Sequence, residues 1–129
     1  MDTRGLPLAK PEKRVTTKRR RLRVESKVKQ KVRALCVDRD GDCRMAGISW
    51  HVCGGASAWA HLGDQKRART RGMKPELRHT TAGSLMLCTT AHQDYDQGRM
   101  HIVLLSRDGA DRNLGFAMAT GHVYIEPFQ

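Results

Sequence analysis

The sequence is poor in asparagine, in aromatic residues and in long apolar runs. Asn113 is the only asparagine, and aromatic residues make up 5% of the chain, which predicts a modest core with some further source of stability. No apolar run approaches the roughly 18 residues needed to span a bilayer. The N-terminus has charge but no apolar segment after it, so we expect neither a secretory signal nor a membrane partner. A cytoplasmic location is the resulting expectation.

Positive charge is what the chain has in excess, with a net charge of +11 over 129 residues. Residues 1–35 hold 13 of the 24 Lys and Arg residues and three of the 13 acidic residues, and so supply most of that surplus. We interpret residues 1–22 as a flexible basic arm and residues 23–129 as a single domain. Clustered cations release counterions from phosphates, which favours a nucleic-acid partner. The alternative is a solvated tail that only aids solubility.

Local patterns predict an α+β fold. Apolar residues at helical spacing predict a helix from Val24 to about Val37, followed by a turn at residues 38–42. Short apolar segments predict strands at 56–62 and 84–88, separated by a basic loop. Short apolar segments separated by turn residues predict a C-terminal β-hairpin within residues 99–129.

Four cysteines raise the question of a metal site, since disulfides are rare in the cytoplasm. Cys43 and Cys53 bound one loop, and Cys88 ends the second predicted strand. These three thiols are candidate ligands of a structural Zn²⁺. The fourth ligand stays open between Cys36 and His51, and the alternative is that all the thiols are small buried hydrophobes.

A short helix is predicted after the second strand. Thr90 and Gln93 have the spacing of a capping box, and Gly98 suits the position just past the helix end. His92 and Asp96 are four residues apart, so they share one face and can bind one cation. The alternative is a surface helix whose polar residues have no ligand.

Several of these pieces together resemble an HNH endonuclease, the ββα-metal nuclease module of the small type often carried by phages. The resemblance spans residues 39–98 and rests on the RDG-x-C turn at 39–43, Ala60-His61-Leu62, Arg71-Gly72-Met73, SLMLC at 84–88, and His92 followed by Asp96. It implies a ββα-metal (HNH) core, with the basic helix before it and the hairpin of residues 99–129 after it.

The resemblance also implies roles for individual residues. His61 is expected to be the general base, and His92 and Asp96 to hold one divalent ion, Mg²⁺ or Mn²⁺. The reaction would be hydrolysis of DNA phosphodiester bonds, by nicking or by double-strand cleavage. A homodimer is compatible with the sequence, which carries no specific sign of one. The cations expected to contact the DNA backbone are Lys18, Arg19, Arg20, Arg21, Lys66, Arg67, Arg69, Arg71 and Arg78.

Two positions depart from the family pattern. Ala60 stands where the family usually has a metal-binding Asp or His, and no asparagine lies near Gly83 or Ser84, where the family has the one that orients the base. His79 is a candidate to replace a lost partner. One alternative function is therefore a nucleic-acid-binding protein that keeps the fold, with or without zinc, and does no chemistry. Another is a ribosome-associated or RNA-packaging protein, which explains the tail but not the site residues.

Overall fold

Mixed helix and sheet make up the chain in a computed structural model, which describes residues 5–62 and 74–127, with side chains from Lys18 onward. A short 3₁₀ helix, Gly109–Asp111, lies between the strands Met100–Leu104 and Leu114–Met118. The principal elements in chain order are α1 (Gly5–Asp40), β1 (Ser57–His61), α2 (Pro75–Arg78), β2 (Ser84–Cys88), α3 (Thr89–Asp96), β3 (Met100–Leu104), β4 (Leu114–Met118) and β5 (Val123–Ile125).

Strands β1 and β2 form an antiparallel pair in which Ala60 lies opposite Leu85 and His61 lies opposite Ser84. All five residues of β2 are buried, because both faces of the pair are covered. Leu85 and Leu87 face the main core, whereas Ser84 contacts Cys36 of α1. The two strands predicted from short apolar runs are confirmed, and α3 follows β2 directly.

A second antiparallel sheet has the order β3-β4-β5. Its inner face supplies Met100, Leu114 and Phe116, each at most 1% exposed, to the same core as Leu85 and Leu87. The predicted C-terminal hairpin is confirmed and extended, since β3 joins the hairpin of β4 and β5 as a third strand.

Helix α1 is longer than the sequence pattern predicts. It starts at Gly5, so the predicted start at Val24 is wrong, and it ends at Asp40, where Gly41 takes a φ of +73°. Lys, Arg and Leu have high helix propensity without forming an apolar stripe, which explains why periodicity missed the first half. The helix runs unbroken across residue 22; the division into an arm (1–22) and a domain (23–129) stays a prediction.

Ion pairs join the end of α1 to the rest of the domain. The Asp40 carboxylate, 1% exposed, pairs with Arg39 and Arg44 and accepts a hydrogen bond from the backbone N–H of Met86. Arg44 also pairs with Glu126 beyond β5 at 2.8 Å. These groups line a surface pocket of about 560 Å³ that includes none of the residues predicted for catalysis. Because its charges are already paired, we regard the pocket as structural.

Within the two described stretches, none of the helices is both long enough and apolar enough to cross a lipid bilayer.

Candidate metal centre and histidine site

Three cysteines and one histidine converge beside the start of α3. Their ligand atoms all lie within 4.8 Å of one another, and we name this group the cysteine–histidine cluster: Cys43, His51, Cys53 and Cys88. The structure thus brings together the three thiols singled out in the sequence and selects His51 as the fourth member. Cys36 lies elsewhere, with its thiol 3.4 Å from the Ser84 hydroxyl.

The two distances from His51 to the cysteine sulfurs fit a tetrahedral zinc site. The Nε2 atom of His51 lies 3.8 Å from the Cys43 sulfur and 3.5 Å from the Cys88 sulfur. With Zn–S near 2.3 Å and Zn–N near 2.0 Å, tetrahedral geometry places neighbouring ligand atoms about 3.5–3.8 Å apart. The cluster could therefore hold a metal such as zinc. Four protein ligands would close the coordination shell, as in structural zinc sites.

Close backbone packing brings Cys53 to Cys88. Gly54 accepts a hydrogen bond from the backbone N–H of Thr90, and a Cβ built at Gly54 would lie 2.5 Å from the Thr90 hydroxyl. A Cβ at Gly55, where φ is +78°, would lie 2.6 Å from the Thr89 side chain. The paired glycines thus let the loop that carries Cys53 lie directly on the first turn of α3.

Cys88 caps the helix that follows it. Its sulfur accepts a hydrogen bond from the backbone N–H of Ala91 at 3.4 Å. The capping box predicted at Thr90 is therefore wrong by two residues, whereas Gly98 has the expected positive φ of +76° just past the helix. An N–H directed at the sulfur stabilises a thiolate, as backbone donors do in metal sites.

The thiols of the cluster differ in acidity. Burial raises the pKa of Cys43 to about 12. Burial also opposes ionisation of Cys88, but backbone hydrogen bonds from Ala91 and Gly54, together with the neighbouring thiols, lower its pKa overall. Cys88 is thus the thiol best prepared to become a thiolate and to bind a cation first.

Helix α3 also carries the predicted metal pair. The Nε2 atom of His92 lies 3.3 Å from Oδ2 of Asp96, one turn later, and the two side chains are 32% and 55% exposed. Asp94, on another face of the helix, pairs with Arg99 at 2.9 Å. No third His, Cys, Asp or Glu joins His92 and Asp96 to make a metal-binding group among the residues that the structure describes. The pair is consequently open to solvent on its outer side.

His61, the predicted base, lies at the end of β1 against Trp59, with 4.4 Å between the ring centroids. Burial lowers its pKa to about 4, and the charges of His79, Lys29, Arg78 and His92 act in the same direction. The imidazole is therefore neutral at pH 7 and able to accept a proton. The contribution from His92 shows that α3 and the end of β1 lie within electrostatic range of each other.

Sequence reasoning gave little weight to the partners of His61. The Nδ1 atom of His79 lies 3.0 Å from Nε2 of His61, and the Nε2 atom of His79 lies 3.3 Å from Oε1 of Glu25. His79 was a candidate partner in the sequence, but no pattern indicated Glu25. Glu25 belongs to α1, 36 residues before His61, so only the packing of α1 on the strands reveals it.

The predicted DNA-contacting cations fall into three groups. Lys18, Arg19, Arg20 and Arg21 are exposed on α1. Arg78 is instead 16% exposed and pairs with Glu25 at 3.4 Å, so its guanidinium is already engaged within the domain. The remaining four lie outside the described residues: Lys66, Arg67, Arg69 and Arg71.

Comparison with known protein families, with curated proteins and with solved structures finds no match to this chain.

Proposed function

We propose that the chain is a metal-dependent DNA endonuclease of the HNH type, which hydrolyses phosphodiester bonds by nicking or by double-strand cleavage. The observation that carries the proposal is the succession of β1, β2 and α3, with His61 ending β1 and with His92 and Asp96 on α3. That order of elements and side chains is the one expected from the resemblance. The exposed cations of α1 supply affinity for the DNA backbone.

A hard divalent ion such as Mg²⁺ or Mn²⁺ fits His92 and Asp96. An imidazole and a carboxylate lie 3.3 Å apart and remain partly exposed. Two protein ligands leave room for water and phosphate oxygens, which is how proteins commonly hold Mg²⁺. When bound, the ion supplies positive charge to the scissile phosphate and to the leaving 3′ oxygen.

His61 takes the proton of the attacking water in this proposal. A neutral imidazole is required, and burial of His61 keeps it neutral. A DNA phosphate placed beside the ring would raise its pKa, because negative charge stabilises the imidazolium. Substrate binding would therefore make His61 a stronger base than it is in the free protein.

The two departures from the family pattern have structural counterparts. Ala60 is 1% exposed and faces the core, so the metal is left to residues of α3. Around Gly83 and Ser84, where the family has its asparagine, hydrogen bonds to Thr80 hold the turn that leads into β2. The Ser84 hydroxyl donates to the Thr80 carbonyl at 2.6 Å, and the Thr80 hydroxyl accepts from the backbone N–H of Gly83 at 3.1 Å.

Nicking of supercoiled plasmid DNA tests the proposal. We expect cleavage with Mg²⁺ or Mn²⁺, loss of cleavage in EDTA, and its return when excess Mg²⁺ is added. His61→Ala should lower the rate about 10²- to 10⁴-fold, the usual contribution of a general base. DNA affinity should stay the same. His101→Ala is the matched control, because His101 is an exposed histidine on β3.

A nucleic-acid-binding protein without catalysis is the second candidate, favoured by the cysteine–histidine cluster and by the exposed cations of α1. Wild-type protein that binds DNA tightly but does not cut it with Mg²⁺, Mn²⁺ or Co²⁺ would establish this candidate over the first. Cutting by His61→Ala at the wild-type rate would instead indicate a contaminating nuclease.

A further inference from the structure

A chain of hydrogen bonds leads from helix α1 to His61. It consists of Glu25, His79 and His61, which we name the histidine relay. Oε1 of Glu25 lies 3.3 Å from Nε2 of His79, and Nδ1 of His79 lies 3.0 Å from Nε2 of His61. The three residues come from α1, from the end of α2 and from β1, so the relay exists only in the folded domain.

The donors and acceptors of the relay fix where its protons lie. An ionised carboxylate only accepts hydrogen bonds, so His79 must carry its proton on Nε2. A neutral imidazole has one N–H, which leaves Nδ1 of His79 as an acceptor. Nε2 of His61 must then be the donor to that atom. It follows that Nδ1 of His61 carries a lone pair and no proton.

Other contacts keep Glu25 ionised. The hydrogen bond from His79 is the largest cause that lowers the pKa of Glu25, and the charges of Lys29 and Arg78 add to it. Lys29 and Arg78 lie 3.8 Å and 3.4 Å from the same carboxylate oxygen. His79 itself is neutral at pH 7, because burial lowers its pKa. Glu25 is therefore ionised and His79 neutral near pH 7, as the proton positions given above require.

Packing holds the two imidazoles in place. His79 is 5% exposed, and its ring meets that of His61 edge to face, with centroids 5.2 Å apart. The indole of Trp59 lies against both rings, at centroid distances of 4.4 Å and 5.7 Å. With the rings held by Trp59 and their protons assigned by Glu25, His61 has one orientation and one tautomer.

We propose that Glu25 and His79 are positioning residues that hold His61 as its Nε2–H tautomer, so that Nδ1 is the atom that removes the proton from water. The inference rests on the proposed nuclease function. In the hydrolysis step, a proton of the attacking water passes to Nδ1 of His61 and the water oxygen forms a bond to phosphorus. The bond from phosphorus to the 3′ oxygen breaks, and that oxygen takes a proton from solvent.

The relay also stabilises the product of proton transfer. When Nδ1 accepts the proton, His61 becomes an imidazolium that still donates from Nε2 to His79. The Glu25 carboxylate at the other end of the relay offsets the new positive charge. This is the orienting function that the resemblance assigns to an asparagine, supplied here by residues of α1 and of the segment after α2.

Glu25→Gln is the decisive variant, because it keeps the shape of residue 25 while its amide can donate as well as accept. We expect kcat for plasmid nicking to fall about 10- to 100-fold. This loss is smaller than the roughly 10²- to 10⁴-fold rate enhancement that a general base usually contributes, because His61 itself is still present. KM for DNA should stay unchanged. Glu76→Gln is the matched control with the same change of charge, since Glu76 is exposed on α2.

Histidine tautomers provide a readout independent of activity. In long-range ¹H–¹⁵N spectra of protein with ¹⁵N-labelled histidine, His61 should be the Nε2–H tautomer in the wild type, with its signals assigned by His61→Gln. Glu25→Gln should give a mixture of tautomers, whereas Glu76→Gln should not. Thermal melts would verify that each variant is folded.

The outcomes of this test separate the inference from the function on which it rests. An Nδ1–H tautomer of His61 in the wild type, or an unchanged spectrum in Glu25→Gln, would overturn the inference even if DNA is cut. Equal loss of kcat in both glutamine variants would also overturn it. If no DNA is cut at all, the nuclease proposal fails, and with it the catalytic role of the relay, while the spectra still decide the tautomer.

Discussion

Two candidate metal sites involve helix α3, one at its N-terminal cap and one on its exposed face, and they differ in the number of ligands and in exposure. At its start, Cys88 belongs to the cysteine–histidine cluster, in which four ligand atoms lie within 4.8 Å of one another. One turn later, His92 and Asp96 offer two ligands and are 32% and 55% exposed. Closed sites with four protein ligands stabilise folds, whereas open sites leave positions for a substrate. Under the proposed function, we expect the site at the start of α3 to stabilise the fold and the exposed pair on α3 to take part in the chemistry.

Loss of a cluster ligand should have the largest effect on the protein. Cys88→Ser is expected to remove one equivalent of bound zinc and to destabilise the fold by more than about 4 kcal/mol, because metal-binding energy is folding energy in such sites. Elemental analysis and thermal melts would measure both effects.

Cys36→Ser is the matched control for the cluster, since Cys36 is fully buried but lies outside it. This control should keep its zinc. Wild-type protein purified without zinc, and with an unchanged melting temperature after zinc is added, would show that the thiols are packing residues.

Loss of the open pair should remove cleavage without unfolding the protein. Asp96→Asn and His92→Ala are each expected to slow plasmid nicking about 10²-fold or more, since the metal supplies several kcal/mol of charge stabilisation. Their stabilities should lie within about 0.5 kcal/mol of the wild type, as usual for surface substitutions. Nicking assays and denaturant titrations would test this contrast.

The matched control for the open pair is Asp108→Asn. Asp108 is an exposed aspartate that pairs with Arg112 and lies outside α3. Cleavage should be unchanged in this variant. A large loss of zinc in Asp96→Asn would contradict the assignment of separate roles to the two sites.

The smallest expected effect is on the dependence of folding stability on pH. Burial lowers the pKa of folded His61 to about 4, against 6.5 in an unfolded chain. Below pH 6.5 the unfolded chain binds a proton that the folded protein does not, so stability falls from pH 6.5 towards pH 4. His61→Gln should therefore make the curve of melting temperature against pH flatter in this range, by a few degrees at its acidic end.

His101→Gln, which removes an exposed histidine from β3, is the matched control. Other histidines add to the wild-type slope, since burial also lowers the pKa of His51 and of His79. Only the difference between the curves of wild type and His61→Gln reports on His61. Parallel curves would mean that His61 is solvated in the folded protein.

Short-range signals predicted the central elements well. The apolar run at 84–88 is buried from both sides, which is why it reads as a continuous strand, and Gly98 ends α3 with the positive φ that glycine allows. The cap of α3 was missed because a cysteine sulfur takes the place of the usual hydroxyl or carboxylate. Helix α1 was predicted too short because no apolar periodicity marks the first half of its sequence.

The sequence by itself determined the charge of the chain, the two central strands, the short helix after them and the residue types able to bind metal. These properties depend on composition and on neighbours a few residues apart. Only the tertiary structure decided that His51 completes the thiol cluster and that Glu25 reaches His61 through His79. Those contacts join residues far apart in the chain, and their distances are set by how α1 and the loops pack against β1 and β2.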